Sequence, residues 1–400
     1  MTAAPKGETV PHHRQITVFD STLRDGEQAP GNAMSPEHKV ALALALEEVG
    51  VDVIEAGFPS SSPEDFKAVQ QVAQALTTAK LSTLNRAVPA DIEAAAEAGG
   101  VDRHQIQIMA TGSDFHLAHK RGISRQQGID EVVAAVRLAG QLGFRDVSLG
   151  VEDASRGSDE LLRPLVTEAV AAGVTTVVLA DTTGRLLPTE FGDLVRRVRA
   201  WTPPEVVLST HCHDDLGLGL ANALAGLLAG AGAVQTTIGG IGERAGNTPL
   251  EELAAVLHYK GDQLGLSCGV RTDGLFAAFD QLCQAIGMPW PRNKAIVGEY
   301  VFSTAAGIHQ AGLIKEPATY EYVEAARFGR RRQILIGRHS GRAVLRHLVE
   351  QAGRAPDPEL IAALYERHVA GGQREVTTIE ELAAVVAAEA ADWRRGTGER

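Results

Sequence analysis

Between residues 16 and 260 the chain repeats one pattern eight times, a short β-rich run followed by a longer Ala/Leu/Glu-rich segment. The runs are ITVFD (16–20), VDVIEAG (51–57), LSTL (81–84), QIQIM (105–109), DVSLG (146–150), TVVLAD (176–181), VVLSTH (206–211) and VQTTI (234–238). Helical spacing of apolar residues follows at 36–49, 63–78, 90–99, 124–142, 158–172, 189–200, 217–230 and 249–260. Each crossover helix must return the chain to the end of the sheet it left, so alternation of this kind builds parallel strands. Eight units are enough to close the sheet. The expected fold class is therefore α/β, a (β/α)8 TIM barrel.

The rhythm breaks near residue 262, where GDQLGLSCGVRTDGL is rich in turn residues and helical patterns at 343–352, 357–370 and 378–393 then replace the alternation. Three regions are expected: a loose N-terminal tail (1–14), the barrel (15–261) and a helical C-terminal subdomain (262–400). A formal net charge of −12 supplies no basic footprint for nucleic acid or a membrane surface, which favours small-molecule chemistry. The three cysteines, Cys212, Cys268 and Cys283, show no C-x-x-C spacing, so neither a disulfide framework nor a zinc module is indicated. No signal-peptide pattern and no long apolar run is present, and a cytoplasmic location is expected.

TIM barrels carry their chemistry at the C-terminal ends of the strands. The seventh run ends in THCHDD, and residues two apart on a strand face the same way, so His211 and His213 share a side. They can chelate a metal. They can equally be ordinary turn residues, with Asp214 or Asp215 capping the next helix. The first run ends in FDSTLRDGEQ, where Asp25 offers an oxygen ligand and Arg24 a fixed cation; a surface salt bridge between these two is the simpler reading. After the eighth run, GGIGERAGN (239–247) permits close backbone approach and ends on Asn247, whose carbonyl oxygen suits a cation.

Taken together, LRDGEQ (23–28) with Lys39 after ten intervening residues, LSTHCHDDLGLGLA (208–221), GIGERAGN (240–247), GIHQAGLIKEPATYE (307–321) and IGRHSGR (336–342) resemble the 2-isopropylmalate synthase and homocitrate synthase family. These are acyl-CoA Claisen enzymes of the DRE-TIM metallolyase type. The resemblance implies that Asp25, His211, His213 and Asn247 ligate Mg2+, Mn2+ or Zn2+, and that Arg24 stabilises the alkoxide formed when the acetyl-CoA enolate attacks a 2-oxo acid. Gln28 and Thr182 match positions that bind the 2-oxo acid; Glu152, His309 and Tyr320 match positions implicated in proton transfer. Plainer alternatives remain for some: Glu152 pairing with Arg156, Tyr320 packing in a core. In the family His309 and Tyr320 serve the partner's barrel, which implies a homodimer.

Substrate choice is read from the strand ends. Ser148 stands where lysine-pathway homocitrate synthases carry an Arg, Gln107 where isopropylmalate synthases carry a His, and GVEDASR resembles homocitrate synthases associated with nitrogen fixation. The expectation is a homocitrate synthase-like enzyme acting on 2-oxoglutarate or a similar acidic 2-oxo acid. The alternatives are phosphonopyruvate, for which His116, His119 and Lys120 would supply charge, then 2-isopropylmalate or citramalate synthesis, and, in a different class, a non-catalytic metabolite-binding protein. Thr304 and Ala305 replace a polar pair found in many relatives, and the region after 262 is too short for a leucine-sensing domain, so leucine feedback is not expected.

Overall fold

The computed structural model describes residues 13–370 and 377–393. Residues 1–12, most of the expected tail, lie outside them. Eight parallel strands close a barrel in sequence order: β1 Thr17–Asp20, β2 Val53–Glu55, β3 Lys80–Arg86, β4 His104–Thr111, β5 Asp146–Glu152, β6 Thr176–Asp181, β7 Val207–Cys212 and β8 Ala233–Thr236. Closure runs through β1 and β8, with Thr17 opposite Ala233 and Asp20 opposite Thr236. The helices are α1 Pro36–Glu48, α2 Pro63–Ala75, α3 Pro89–Gly99, α4 Arg125–Leu142, α5 Asp159–Ala172, α6 Pro188–Arg199, α7 Gly219–Leu228 and α8 Leu250–Leu264.

The helix starts have local causes. Pro36, Pro63, Pro89 and Pro188 occupy first-turn positions, where a missing N–H costs nothing and the ring pre-sets φ. Ser35, Ser62 and Ser124 cap α1, α2 and α4 through their hydroxyls, and Gln127 completes a capping box at Ser124. Val18, Ile54, Ile106, Ile108, Leu149 and Val177 are almost wholly buried, forming the apolar layer of the strands. Inward positions two apart line the interior instead: Gln105, Gln107 and Met109 on β4, Ser209 and His211 on β7. Below, at the strand N-termini, lies a cavity of about 750 Å3 edged by Thr17, Asp52, Lys80, Asp146 and Ser209. Above, at the C-termini, lies one of about 120 Å3.

The chain divides into two compact units between Pro289 and Trp290, later than the change of rhythm at 262. The reason is packing. Leu266 and Ser267 pair with Arg14, the last residue of the expected tail, and Gln15, while Arg271 N–H donates to the Val49 carbonyl at 2.7 Å. The next helix, α9 (Leu275–Ile286), then packs on α1. The second unit contains α10 Gly307–Lys315, α11 Arg342–Gln351, α12 Pro358–Tyr365 and α13 Ile379–Asp392. Its own core gathers Val344, Leu348, Leu360, Ile361, Leu382 and Val386. It also holds a small sheet that the sequence does not announce, ordered β9 (Ser303–Thr304), β10 (Gln333–Ile336), β11 (Thr377–Thr378).

Candidate metal centre

At the end of β1 the Ser21 carbonyl accepts N–H bonds from Arg24, Asp25 and Gly26 at 3.1, 2.8 and 3.1 Å, winding Thr22–Gly26 into one π-helical turn. Turns of this kind often mark functional positions. Here it buries two charged side chains, Arg24 at 8% and Asp25 at 4% exposure. The Arg24 guanidinium divides itself, Nη1 to Asp25 Oδ2 at 2.7 Å and Nε to Glu55 Oε2 at 2.8 Å. The surface salt bridge is thus a buried one, with a third partner from β2.

The β7 alternation brings His211 and His213 to the same side, their Nε2 atoms 3.3 Å apart, while His211 Nε2 lies 3.7 Å from Asp25 Oδ2. One donor atom from each of Asp25, His211 and His213 falls within 4.8 Å of the others. The loop after β8 folds back on this group. Asn247 bridges to His213 and donates Nδ2–H to Asp25 Oδ1 at 2.9 Å. Two glycines make that fold possible: a Cβ on Gly246 (φ +89°) would sit 1.9 Å from the Gly240 carbonyl, and one on Gly242 2.1 Å from Asn247 Nδ2. The acidic pair beyond the histidines does structural work, since Asp214 Oδ1 accepts from Gly219 N at the start of α7 and Asp215 pairs with Arg244.

The electrostatics suit a divalent cation. Burial lowers the pKa of His211 to about 4, against the pull of Asp25, and burial lowers His213 as well, so both imidazoles are neutral. Burial alone would raise Asp25, but the Arg24 guanidinium, the two histidines and the Asn247 amide hold it well below the usual carboxylate range. Burial also pushes Glu55 up while Arg24, in hydrogen-bond contact, pulls against it. Two carboxylates therefore face one guanidinium in a water-poor pocket. Asn247 Oδ1 is buried without a hydrogen-bond partner, an oxygen free for a further contact. One carboxylate, two neutral imidazoles and an unpartnered amide oxygen are the donor set of such an ion.

Around this set the upper cavity is lined by Met109, Gly150, Val178 and Ala180 and by the polar Gln107, Glu152, Thr182 and Gln235. Thr182 Oγ1 accepts from Asp153 N–H at 2.8 Å, which leaves its own proton to donate. Glu152 is bound by Lys120 Nζ at 2.7 and 2.8 Å; Arg156, its anticipated partner, bonds the buried Asp153 instead. Gln28 is exposed and outside the cavity lining. His309 and Tyr320 belong to the second unit, with ring centroids 4.3 Å apart, and edge a cavity of about 440 Å3 there; Tyr320 is half exposed rather than packed in a core. Glu55 and Gln235 were not singled out in the sequence, though an acid near the end of the β-rich run VDVIEAG is the kind of signal that finds the first.

The HMGL-like family model matches residues 15–280, and the model described as homocitrate synthase post-HMGL domain-like matches residues 296–374. The chain is 42% identical over 356 residues to the 2-isopropylmalate synthase of Nitratidesulfovibrio vulgaris, covering 88% of this chain and 69% of that protein. It is 43% identical over 352 residues to the 2-isopropylmalate synthase of Syntrophus aciditrophicus, covering 87% and 68%. Among solved structures, hydroxymethylglutaryl-CoA lyase from Pseudomonas aeruginosa superposes with a TM-score of 0.58 at 23% identity, covering 69% of this chain and 94% of the lyase. That last likeness concerns the fold.

Proposed function

From a chain that belongs to the HMGL-like family of DRE-TIM acyl-CoA lyases and synthases, we propose the metal-dependent condensation of acetyl-CoA with a 2-oxo acid whose side chain is compact and apolar, 2-oxoisovalerate, giving 2-isopropylmalate and CoA. The observation that carries this reading is the apolar wall of Met109, Gly150, Val178 and Ala180 facing the ligand set. Among the described residues lining that cavity Arg24 is the only lysine or arginine, and two of its three guanidinium nitrogens are already engaged by Asp25 and Glu55. A distal carboxylate or phosphonate buried against this wall would go unpaired, which is costly. The acidic 2-oxo acid expected from the sequence therefore gives way to an apolar one, in line with the similarity to two 2-isopropylmalate synthases.

Asp25, His211, His213 and Asn247 would hold the cation, which supplies Lewis acidity to the 2-oxo acid's carbonyl when bound. Arg24, fixed through Nε and Nη1, keeps Nη2 for the oxygen on which negative charge develops during attack. The Thr182 hydroxyl donates to the substrate carboxylate. Glu152, together with His309 and Tyr320 from a second copy of the chain, handles the protons that leave the acetyl methyl and return to the alkoxide. Hydrolysis of the thioester then frees CoA. The test is thiol release from acetyl-CoA by the purified chain with Mg2+, Mn2+ or Zn2+ and, in turn, 2-oxoisovalerate, 2-oxoglutarate, phosphonopyruvate and pyruvate. Fastest release with 2-oxoisovalerate is expected; preference for 2-oxoglutarate or phosphonopyruvate overturns the assignment.

A further inference from the structure

Behind the ligands, an unbroken line of side-chain hydrogen bonds crosses the barrel interior from β2 to β7. Gln107 Nε2 lies 3.0 Å from Glu55 Oε1, Gln235 Nε2 lies 2.7 Å from Gln107 Oε1, and His211 Nδ1 lies 2.8 Å from Gln235 Oε1. The members are buried, with Glu55 at 0%, Gln107 at 2%, Gln235 at 3% and His211 at 8% exposure, so an inverted amide would strand polar atoms away from water.

The line has a direction, set at one end. Glu55 carries the Arg24 guanidinium on Oε2 and accepts the Gln107 Nε2–H on Oε1. Gln107 must then present its NH2 to Glu55, which turns its carbonyl toward Gln235. Gln235 in turn presents its NH2 to Gln107 and its carbonyl to His211. Facing an acceptor, His211 Nδ1 must carry the proton. Its Nε2 is left as a bare lone pair, and that is the atom pointing at Asp25 and His213.

We propose that Gln107 and Gln235 are positioning residues that transmit the polarity of the Arg24–Glu55 pair to His211, locking its imidazole in the Nδ1–H tautomer that a metal ligand needs. This rests on the reading of Asp25, His211 and His213 as a cation site. His213 supplies an internal contrast, because its Nδ1 is buried with no hydrogen-bond partner. No side chain holds that ring from behind, and its Nε2 lies 3.3 Å from His211 Nε2. One ligand is thus prepared in advance, and the other adapts when the ion arrives. Second-shell partners of this kind typically change metal affinity 10–100-fold.

The experiment is two-bond 1H–15N correlation of the full, metal-free chain labelled at histidine, with His211 assigned from a His211→Asn spectrum. His211 is expected as a single Nδ1–H tautomer. Gln235→Leu is expected to release it toward Nε2–H and to weaken Zn2+ binding about 10- to 100-fold in competition with a chelating dye. Gln107→Leu, which removes the group that orients Gln235, is expected to do the same to a lesser degree. Gln235→Glu accepts from His211 without help, so the double variant Gln107→Leu/Gln235→Glu is expected to recover both the tautomer and the affinity. A wild-type His211 in the Nε2–H form, or tautomer and affinity unmoved by Gln235→Leu, overturns the relay. Wild-type protein that binds no Zn2+ overturns the metal reading instead, and the tautomer, read without metal, still decides the relay.

Discussion

A histidine that stays neutral well into the acid range makes a ligand that protons do not easily displace. An ordinary imidazole titrates near 6.5, whereas burial lowers His211 to about 4, and burial lowers His213 too. His211 retains its free lone pair as the pH falls through 6.5. Cation affinity is therefore expected to stay level from pH 7.5 to about 5.5 and to decline as the His211 value is approached; a tenfold loss per pH unit starting at 6.5, in dye competition, would contradict the burial argument. Gly150 matters for the opposite reason, the absence of a side chain. A Cβ there would lie 2.6 Å from Met109 Sδ, so Gly150→Val should push into the acid's side-chain space, lowering kcat/KM for 2-oxoisovalerate at least tenfold while sparing pyruvate. Legibility at this scale was uneven. The spacing of two puts His211 and His213 on one side and LRDGEQ singles out Asp25, but only the fold brings donor atoms of the three within 4.8 Å of one another. Glu55, Gln107 and Gln235 could not be joined from sequence, because which interior residues meet across a barrel depends on the stagger of its strands.

Between strands and helices, the loops over the mouth are tied down by one buried cation. Lys39 on α1, 1% exposed, reaches Glu27 in the loop after β1 and Asp65 at the start of α2, at 2.5 and 2.7 Å. Glu27 also accepts from Met34 N–H and Asp65 from Phe58 N–H, so a single ammonium braces the loops that follow β1 and β2. This gives the ten-residue spacing between LRDGEQ and Lys39 a physical meaning. Lys39→Met leaves two carboxylates facing each other, and a loss of about 3 kcal/mol in urea unfolding is expected. Glu27→Gln added to it should restore part of that loss; no restoration would mean that Lys39 acts through packing. The barrel elements were legible because β-rich runs and helical patterns alternate eight times, and the observed boundaries fall within a few residues of the patterned runs. The second unit's sheet was not, since β9 and β11 have two residues each, too few for any alternation to register.

At the level of the whole molecule, the proposed proton-handling pair His309 and Tyr320 and the metal ligands lie in different compact units of one chain. If each active site is completed by a second copy, Asp25→Asn and His309→Ala proteins, inactive apart, should regain CoA release when mixed under conditions that exchange subunits. Mixtures that remain inactive although exchange has occurred would refute shared sites. The division at Pro289 was itself hard to read from sequence, because residues 262–289 lose the strand rhythm yet stay with the barrel through the Arg14–Leu266 strand and the packing of α9.

The barrel has one seam, where β8 meets β1 and the first and last turns of the closed sheet are joined. Asp25 follows β1, His211 and His213 lie at the end of β7, and Asn247 follows β8, so the proposed ligands straddle that seam. An ion held by them acts as a clasp between the two ends of the wound chain. It stabilises the closed form by about 2.7 kcal/mol when its concentration is a hundred times its dissociation constant. Stripping it with a chelator would then speed amide hydrogen exchange first in β1 and β8, well before the strands on the far side of the barrel.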